Sequence, residues 1–499
     1  MPDHIVLSSS ADMTLSNAER LAFDRIQVEI SDEAASRIAR GRVRFDEFMD
    51  AKGGYVYGAT TAPGSRAKVM LSKEEGLRQG ETLRRFVPLQ AGIAGDMLPE
   101  RCVRLAVFAR LANAMTGSGK LRLGTVRAVI DLLDAVPPVP LQAVACSGEV
   151  MPLTWLMAPL ADLPLAIGEA MALVNGSPFA TAMACDVALT TGRRLRLAEH
   201  IFSLSVEAAE CPAAHLDRRL AGGWKDPYYE QSLNNLHEIL KDSERKQLKH
   251  QAPTSWRVLP NVLANALRAV AEVSQSAEIG LQSLKDNPTF IQDAASGDED
   301  DVLSSSGYHD HRAAKAIDEV NSALTDVCIL ASRQVAHLLD GGGLGLPPLL
   351  ARAGDGVGME YLAWGMTEPL ATARRAAEPT LLDIGLQDPV GNQSDIASLN
   401  FIAYGKHREI ARAFDACLGS LAMTATLALE FRDGAKSIMK RPLSQCIYDI
   451  MHSAGRSVEV VGEPLRQVNE LVRSCADDMS IAQFARSVMG CRQRSTRSS

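Results

Sequence analysis

The chain has 499 residues, 46% of them hydrophobic and 22% charged, a balance that suits a folded globular protein and excludes a disordered or fibrous one. Its net charge of −8 comes without any basic run or basic–aromatic interleaving, which argues against a nucleic-acid partner. Aromatic residues make up only 5%, which fits an alanine- and leucine-rich helical protein better than a β-sandwich.

Taken in chain order, Met1 to Asp12 has neither a basic start nor an apolar stretch, so no secretory leader is expected. The first 200 residues are richer in Gly and Pro and hold the loops on which chemistry would sit. Within them the most apolar long window, Pro152 to Val174, contains Asp162, Glu169 and repeated prolines, and it is predicted to be buried core rather than a membrane span. Helical spacing then dominates. Val262 to Leu281 and Ile402 to Phe431 sustain it well beyond the usual helix length. Residues 313–339 place Ile317, Val320, Leu324, Val327, Leu330 or Ala331, Val335 and Leu338 on one face, and Gly341-Gly342-Gly343 stops that helix. Between these, Ala294 to Asp301 is acidic and contains Gly297, the pattern of a solvated loop. Arg492 to Ser499 looks like a frayed tail. Several long helices imply a bundle with faces left for neighbouring subunits.

The nine cysteines are scattered without a CxxC pair. Cys102, Cys185, Cys328 and Cys417 sit among apolar residues at helical spacing, so they are expected to be reduced and buried, which suits a cytoplasmic protein. His309-Asp310-His311 offers two imidazoles at i and i+2, which cannot share a helix face. With no further ligand cluster, a turn that positions Tyr308 is expected there, and no metal.

Chemistry concentrates in a series of short segments. The first is Tyr57-Gly58-Ala59-Thr60-Thr61, followed by Cys146-Ser147-Gly148-Glu149-Val150-Met151-Pro152-Leu153. Leu173-Val174-Asn175-Gly176-Ser177, then Gln251-Ala252-Pro253-Thr254-Ser255-Trp256-Arg257-Val258-Leu259-Pro260, then Lys285-Asp286-Asn287-Pro288 come next. Ser306-Gly307-Tyr308-His309, Gly343-Leu344-Gly345-Leu346-Pro347-Pro348 and Gly391-Asn392-Gln393-Ser394-Asp395 complete the series. In this order, over most of the chain, these segments resemble the motifs of the histidine and phenylalanine ammonia-lyases. The family patterns are Tyr-Gly-x-x-Thr-Gly, Ala-Ser-Gly with Asp and Pro-Leu after it, Leu-x-Asn-Gly-Thr, Gln-Asp-x-Tyr-Ser-x-Arg-x-x-Pro, Thr-Asp-Asn-Pro, Gly-Asn-Phe-His, Gly-Leu-Pro-Pro and Ala-Asn-Gln-Glu-Asp.

The resemblance implies a mainly α, ammonia-lyase-like fold: an N-terminal globular part with the active-site loops (residues 1–200), then a central bundle of long helices and the C-terminal helices (201–499). It implies a homotetramer whose active sites draw residues from three chains, with an amino acid as substrate and no membrane partner. It also implies the cofactor 4-methylideneimidazol-5-one, MIO, formed from Cys146-Ser147-Gly148. The nitrogen of Gly148 would attack the carbonyl of residue 146, a strained approach that glycine tolerates. Ser147 would then lose its hydroxyl, and Cys146 would contribute only backbone. Tyr57 would be the base, which requires a depressed phenol pKa that nearby positive charge could supply. Asn175 would hold the cofactor's carbonyl region and the substrate, and Arg257 would clamp the substrate carboxylate bidentately. Tyr308 would lie over the electrophile. Gln251 and Gln393 would support these groups as amides.

Departures from the pattern bear on the substrate. Thr254 stands where the family has tyrosine, Ser394 where it has an acidic or amide residue near the amine, and Glu149 where it has Asp. Tyr308 replaces Phe, and Ala62-Pro63 replaces Gly-Phe, which stiffens the base loop. In the resembling family an adjacent pair on the helix after the base loop sets side-chain choice, and counting along this chain that pair is Leu89-Gln90. A buried Gln90 amide needs partners and favours a polar heteroaromatic ring over a bare phenyl, unless it pairs with backbone. The leading expectation is therefore an ammonia-lyase for an aromatic or histidine-like α-amino acid. A cofactor-free elimination of trimethylamine from a histidine betaine is the alternative, with Tyr308, Trp256 and Trp364 as aromatic faces for the cation. An aminomutase and a degenerate, non-enzymatic scaffold are the others.

Overall fold

The structure, a computed structural model, describes residues 4–52, 54–82, 85, 95–142, 148–241, 243, 247–248, 251–292, 300–382, 396–432 and 442–455. Among the described residues, two short sheets accompany the helices. β1 (His4–Leu7) pairs in parallel with β2 (Gln27–Ile30), and β3 (Thr289–Ile291) pairs antiparallel with β4 (Asp301–Leu303). The helices that matter most are α1 (Asp32–Lys52), α2 (Glu100–Met115), α3 (Val150–Met157), α4 (Glu169–Val174), α5 (Pro178–Ala208), α6 (Leu259–Gln282), α7 (His311–Asp340) and α8 (Asn400–Leu429).

Helix ends follow local chemistry. Ser31 Oγ accepts from Ala34 N at 3.2 Å and Asp32 and Glu33 occupy the first turn of α1, all favourable to the exposed N–H groups and the dipole. Asp310 Oδ1 caps α7 by accepting from Arg312 N and Ala313 N. At the other end of α7, Gly341 takes a positive φ of 70°, so the glycine run stops the helix as its composition predicts. The apolar face read from 313–339 is buried throughout, from Ile317 to Leu338. α2 and the first half of α5 are buried on every side, as a helix without a polar face must be. A 40-residue stretch, Glu169–Ala208, is apolar enough to span a membrane by length and composition, yet it is almost wholly buried in the protein. Most of the earlier window Pro152–Val174 is buried too.

The chain divides into two compact units, each drawn from three stretches. The first comprises residues 1–189, 272–318 and 379–405, and the second 190–271, 319–378 and 406–499. The expected division near residue 200 concerns consecutive segments, whereas these units interleave in sequence. In the second unit a buried polar chain links three elements: Trp256 Nε1 donates to Ser205 Oγ at 3.1 Å, Ser205 to Gln334 Oε1 at 2.7 Å, and Gln334 Nε2 to the Ser255 carbonyl at 2.9 Å. Trp256 is 1% exposed, so it belongs to this core and is not the accessible aromatic face considered from sequence.

Of the acidic segment at 294–301, only Asp300 and Asp301 are described: Asp300 pairs with Arg44, and Asp301 opens β4. The tail from Arg492 lies outside the described residues. Cys102, Cys185, Cys328 and Cys417 are free and buried.

Candidate functional site

The loop bearing Tyr57 is tied down by its own threonines. Thr60 Oγ1 accepts from Val56 N at 2.8 Å and donates to the Gly54 carbonyl at 2.6 Å, while Thr61 Oγ1 accepts from Gly58 N. Gly58 has φ +67°, and a Cβ there would lie 2.6 Å from Met171 Cε. Met171 in turn accepts a contact from Asn175 Nδ2 through its sulfur at 3.4 Å. The glycine thus lets the Tyr57 loop seat on α4, which carries Asn175 at its end. The Tyr57 hydroxyl accepts from Gly64 N at 2.8 Å, just past Pro63.

The turn after α4 is built around a buried guanidinium. Arg110, 2% exposed, donates through Nη1 to the Asn175 carbonyl at 2.6 Å. Its Nη2 lies 4.0 Å from Asp286 Oδ1, which itself sits beside Asp286 Oδ2 and Lys120 Nζ, paired at 2.8 Å. Gly176, φ +129°, has no room for a Cβ: Arg110 Nη1 and the Lys285 carbonyl would be 2.5 and 2.6 Å away. Ser177 Oγ then donates to the Gly307 carbonyl at 2.9 Å, which fixes the segment carrying Tyr308. Tyr308 packs on Gly148, where an added Cβ would be 3.0 Å from both its ring Cδ2 and its carbonyl oxygen. Gly148 has φ +73°. Glu149 follows, 1% exposed, and accepts from the first N–H groups of α5, Phe179 N at 2.6 Å and Ala180 N at 2.7 Å. This places an acidic group on a helix N-terminus.

Charges in this unit are shifted by burial. Burial pushes the Glu149 carboxyl up to about 8, against the pull of the two N–H donors and of Lys285, while Asp310 adds to the push. Burial also raises the Tyr57 phenol above its ordinary value, with Gly64 N opposing and Tyr308 and Tyr55 adding. The expectation of a depressed phenol is thus not met by the described groups of its own unit. Their net effect has the opposite sign, because burial outweighs the one N–H donor.

Tyr57, Gly148, Asn175 and Tyr308 therefore gather in the first unit. Gln251, Thr254 and Arg257 lie in the second, all exposed, with Arg257 Nη1 donating to Gln251 Oε1 at 2.6 Å. Gln251 and Thr254 line a cavity of about 390 Å³ with His337, Asp340 and Leu344. Leu89, Gln90, Cys146, Ser147, Gln393 and Ser394 lie outside the described residues. The turn expected at His309 is present: His309 N donates to the Ser306 carbonyl. Among the described residues no group of three or more His, Cys, Asp or Glu is placed to hold a metal.

Arg110, Lys120, Asn113 and Thr181 carried no signal in the sequence, because their partners are 65 to 172 positions away. Lys285 did carry one, as a lysine where the resembling motif has threonine.

The family model for aromatic amino acid lyases matches residues 13–161 and 155–452. The chain belongs to the aromatic amino acid lyase family. It is thus a carbon–nitrogen lyase with the family's helical fold. A histidine ammonia-lyase from Caldanaerobacter subterraneus subsp. tengcongensis is 26% identical over 467 residues, covering 86% of this chain and 89% of the relative. One from Streptococcus gordonii is 23% identical, covering 94% and 96%. Among solved structures, an ergothionase from Treponema denticola superposes with TM-score 0.82 at 18% identity, over 97% of this chain and 99% of that one. A histidine ammonia-lyase from Trypanosoma cruzi superposes with TM-score 0.80 at 18% identity, over 96% and 95%.

Proposed function

We propose that this aromatic amino acid lyase removes ammonia from an aromatic or heteroaromatic, histidine-like α-amino acid. The observation that carries the reading is the gathering of Tyr57, Gly148, Asn175 and Tyr308 around one turn of backbone in the first unit. Likeness to histidine ammonia-lyases over most of the chain supports the substrate class.

The residues present fit the MIO group. Gly148 has the positive φ that a close backbone approach needs, and a Cβ there would press on Tyr308 at 3.0 Å. Cys146, Ser147 and Gly148 would form the group, with Tyr308 packed against it. When formed it supplies an electrophilic carbon that turns a poor amine leaving group into a good one. Tyr57, as its phenolate, takes the β-proton on its oxygen, which is why its oxygen rather than its ring matters. Asn175, fixed through its carbonyl by Arg110, orients the substrate. Arg257, with Gln251 beside it, binds the carboxylate and holds the substrate in line, in an assembly of four chains.

A second reading is favoured by one feature, the polar cavity lined by Thr254, where the family motif has a tyrosine. A threonine in place of a phenol leaves more room in that cavity, which suits a bulkier, better leaving group such as trimethylammonium on a histidine betaine. The fold is shared with the Treponema denticola ergothionase.

Intact mass of the purified chain tests the choice. Cyclisation and dehydration lower the mass below the encoded value by the water lost, and Ser147→Ala restores the uncyclised mass and abolishes deamination. A wild-type mass equal to the encoded value, with turnover of a betaine, would replace the first reading with the second.

A further inference from the structure

Lys285 stands where three segments meet, and three glycines clear the space around it. A Cβ on Gly280, inside α6, would lie 2.5 Å from Thr181 Oγ1 and 3.0 Å from Lys285 Nζ. One on Gly176 would lie 2.6 Å from the Lys285 carbonyl oxygen, and one on Gly307 would lie 2.6 Å from Asp286 N and 3.1 Å from the Lys285 carbonyl carbon. A glycine inside a helix costs roughly 1 kcal/mol relative to alanine, so its presence at 280 calls for a local reason. The contact between Thr181 and Lys285 supplies one.

The lysine is fixed at both ends. Its N–H donates to Asn113 Oδ1 at 2.9 Å and its carbonyl accepts from Asn113 Nδ2 at 3.0 Å. Its ammonium donates to Thr181 Oγ1 at 3.0 Å and pairs with Asp310, the residue that caps α7. Side-chain exposures of 15% for Lys285 and 13% for Asp310 take this pair out of the class of screened surface contacts. Asp310 lies two residues after Tyr308, and Thr181 follows directly on the Phe179 and Ala180 N–H groups that receive Glu149. Threonine, which the resembling motif has at this place, has neither the reach nor the charge to join them.

We propose that Lys285 is a positioning residue for the reaction: its ammonium ties the Tyr308–Asp310 turn to the start of α5, and its charge stabilises the Glu149 carboxylate beside Gly148. The inference rests on reading Cys146-Ser147-Gly148 as the reactive tripeptide. Among the described residues, Lys285 and Arg110 favour the Glu149 carboxylate, as do the Phe179 and Ala180 N–H groups, and Asp310 opposes it.

Lys285→Met keeps an unbranched side chain and removes the charge, and Lys285→Arg keeps the charge. The carboxylic-acid stretch of Glu149, identified by its loss in Glu149→Gln, is followed against pH by infrared difference spectroscopy. Its midpoint should lie about one pH unit higher in Lys285→Met than in wild type, and return to within a few tenths in Lys285→Arg. In the same samples kcat should fall at least about tenfold in Lys285→Met while KM changes by less than about threefold. A midpoint that stays put in a Lys285→Met protein melting at the wild-type temperature overturns the inference. If Lys285→Met does not fold, Lys285→Thr takes its place in the same comparison. Wild-type intact mass tests the tripeptide separately: an uncyclised wild type overturns the reading of the tripeptide, while the infrared comparison still decides whether Lys285 acts on Glu149.

Discussion

Tyr57 illustrates how burial and function pull in opposite directions at a single residue. Its hydroxyl accepts one backbone N–H and its phenol is raised by burial, so below about pH 10 the phenolate fraction falls tenfold for each pH unit. Used as a base with these neighbours alone, Tyr57 makes kcat/KM climb with pH and still climb at about pH 9. Tyr57→Phe keeps the packing, lowers kcat by at least about a hundredfold with little change in KM, and removes the rising limb. A rate already level by about pH 7.5 means either that a cation from outside this unit lowers the phenol or that another base acts, and only in the second case does Tyr57→Phe keep the rate. Arg257 should behave differently. As the proposed carboxylate clamp it would act before and during reaction, so Arg257→Ala should raise KM strongly and lower kcat through lost alignment. Steady-state kinetics on both variants separate the two roles. At this scale the sequence supplied the segments through their ordered resemblance to the family motifs, and Gly58, Gly148 and Gly176 within them do take positive φ. The sign of the Tyr57 shift was not legible, since it depends on how much of the ring the fold buries. Nor were Arg110 and Asn113, whose partners lie far along the chain.

At the scale of elements, the long helices could be read because their apolar spacing persists over many turns. Residues 313–339, 262–281 and 402–431 correspond to α7, α6 and α8 within two or three positions at each end. The strands β1 to β4 were not foreseen: each is three or four residues long, too short for a period-2 pattern to stand out. The interleaving of the two units was not foreseen either, because it depends on which distant stretches pack together. Glycines inside helices show how packing can reverse a local preference. Gly192 in α5 and Gly280 in α6 would each gain about 1 kcal/mol of helix propensity from alanine. At Gly192 the new Cβ meets only Val270 Cγ1, at 3.9 Å, an ordinary contact. At Gly280 it would sit 2.5 Å from Thr181 Oγ1, and overpacking of that kind costs about 1–3 kcal/mol. Gly192→Ala should therefore raise the urea midpoint or leave it unchanged, and Gly280→Ala should lower it. Equal effects of the same sign would mean that propensity, not the Thr181–Lys285 contact, governs position 280.

Assembly is the prediction that belongs to the whole molecule. Large apolar side chains stay exposed on each unit by itself: Leu381 at 74% and Leu382 at 72% on the first, Val357 at 68%, Tyr361 at 64% and Trp364 at 62% on the second. Single exposed apolar residues are ordinary, but Val357, Met359, Tyr361 and Trp364 fall within eight positions, and Tyr361 and Trp364 stack edge to face at 5.0 Å. Such a run is best covered by another chain, and closed symmetric assembly is the common way for identical chains to do it. The chemistry asks for the same thing. Among the described residues, the groups that shift Tyr57 in its own unit carry no positive charge, and Arg257 and Gln251 are exposed. A neighbouring chain that brings a cation to the phenol would lower its pKa, and one that covers Arg257 would strengthen its grip on a carboxylate by excluding water. Light scattering at micromolar concentration should give the mass of four 53.7 kDa chains. Dilution that separates them should abolish turnover before any helix is lost by circular dichroism. A protein that stays monomeric and fully active would show that one chain completes the site, and the shared-site proposal would fall.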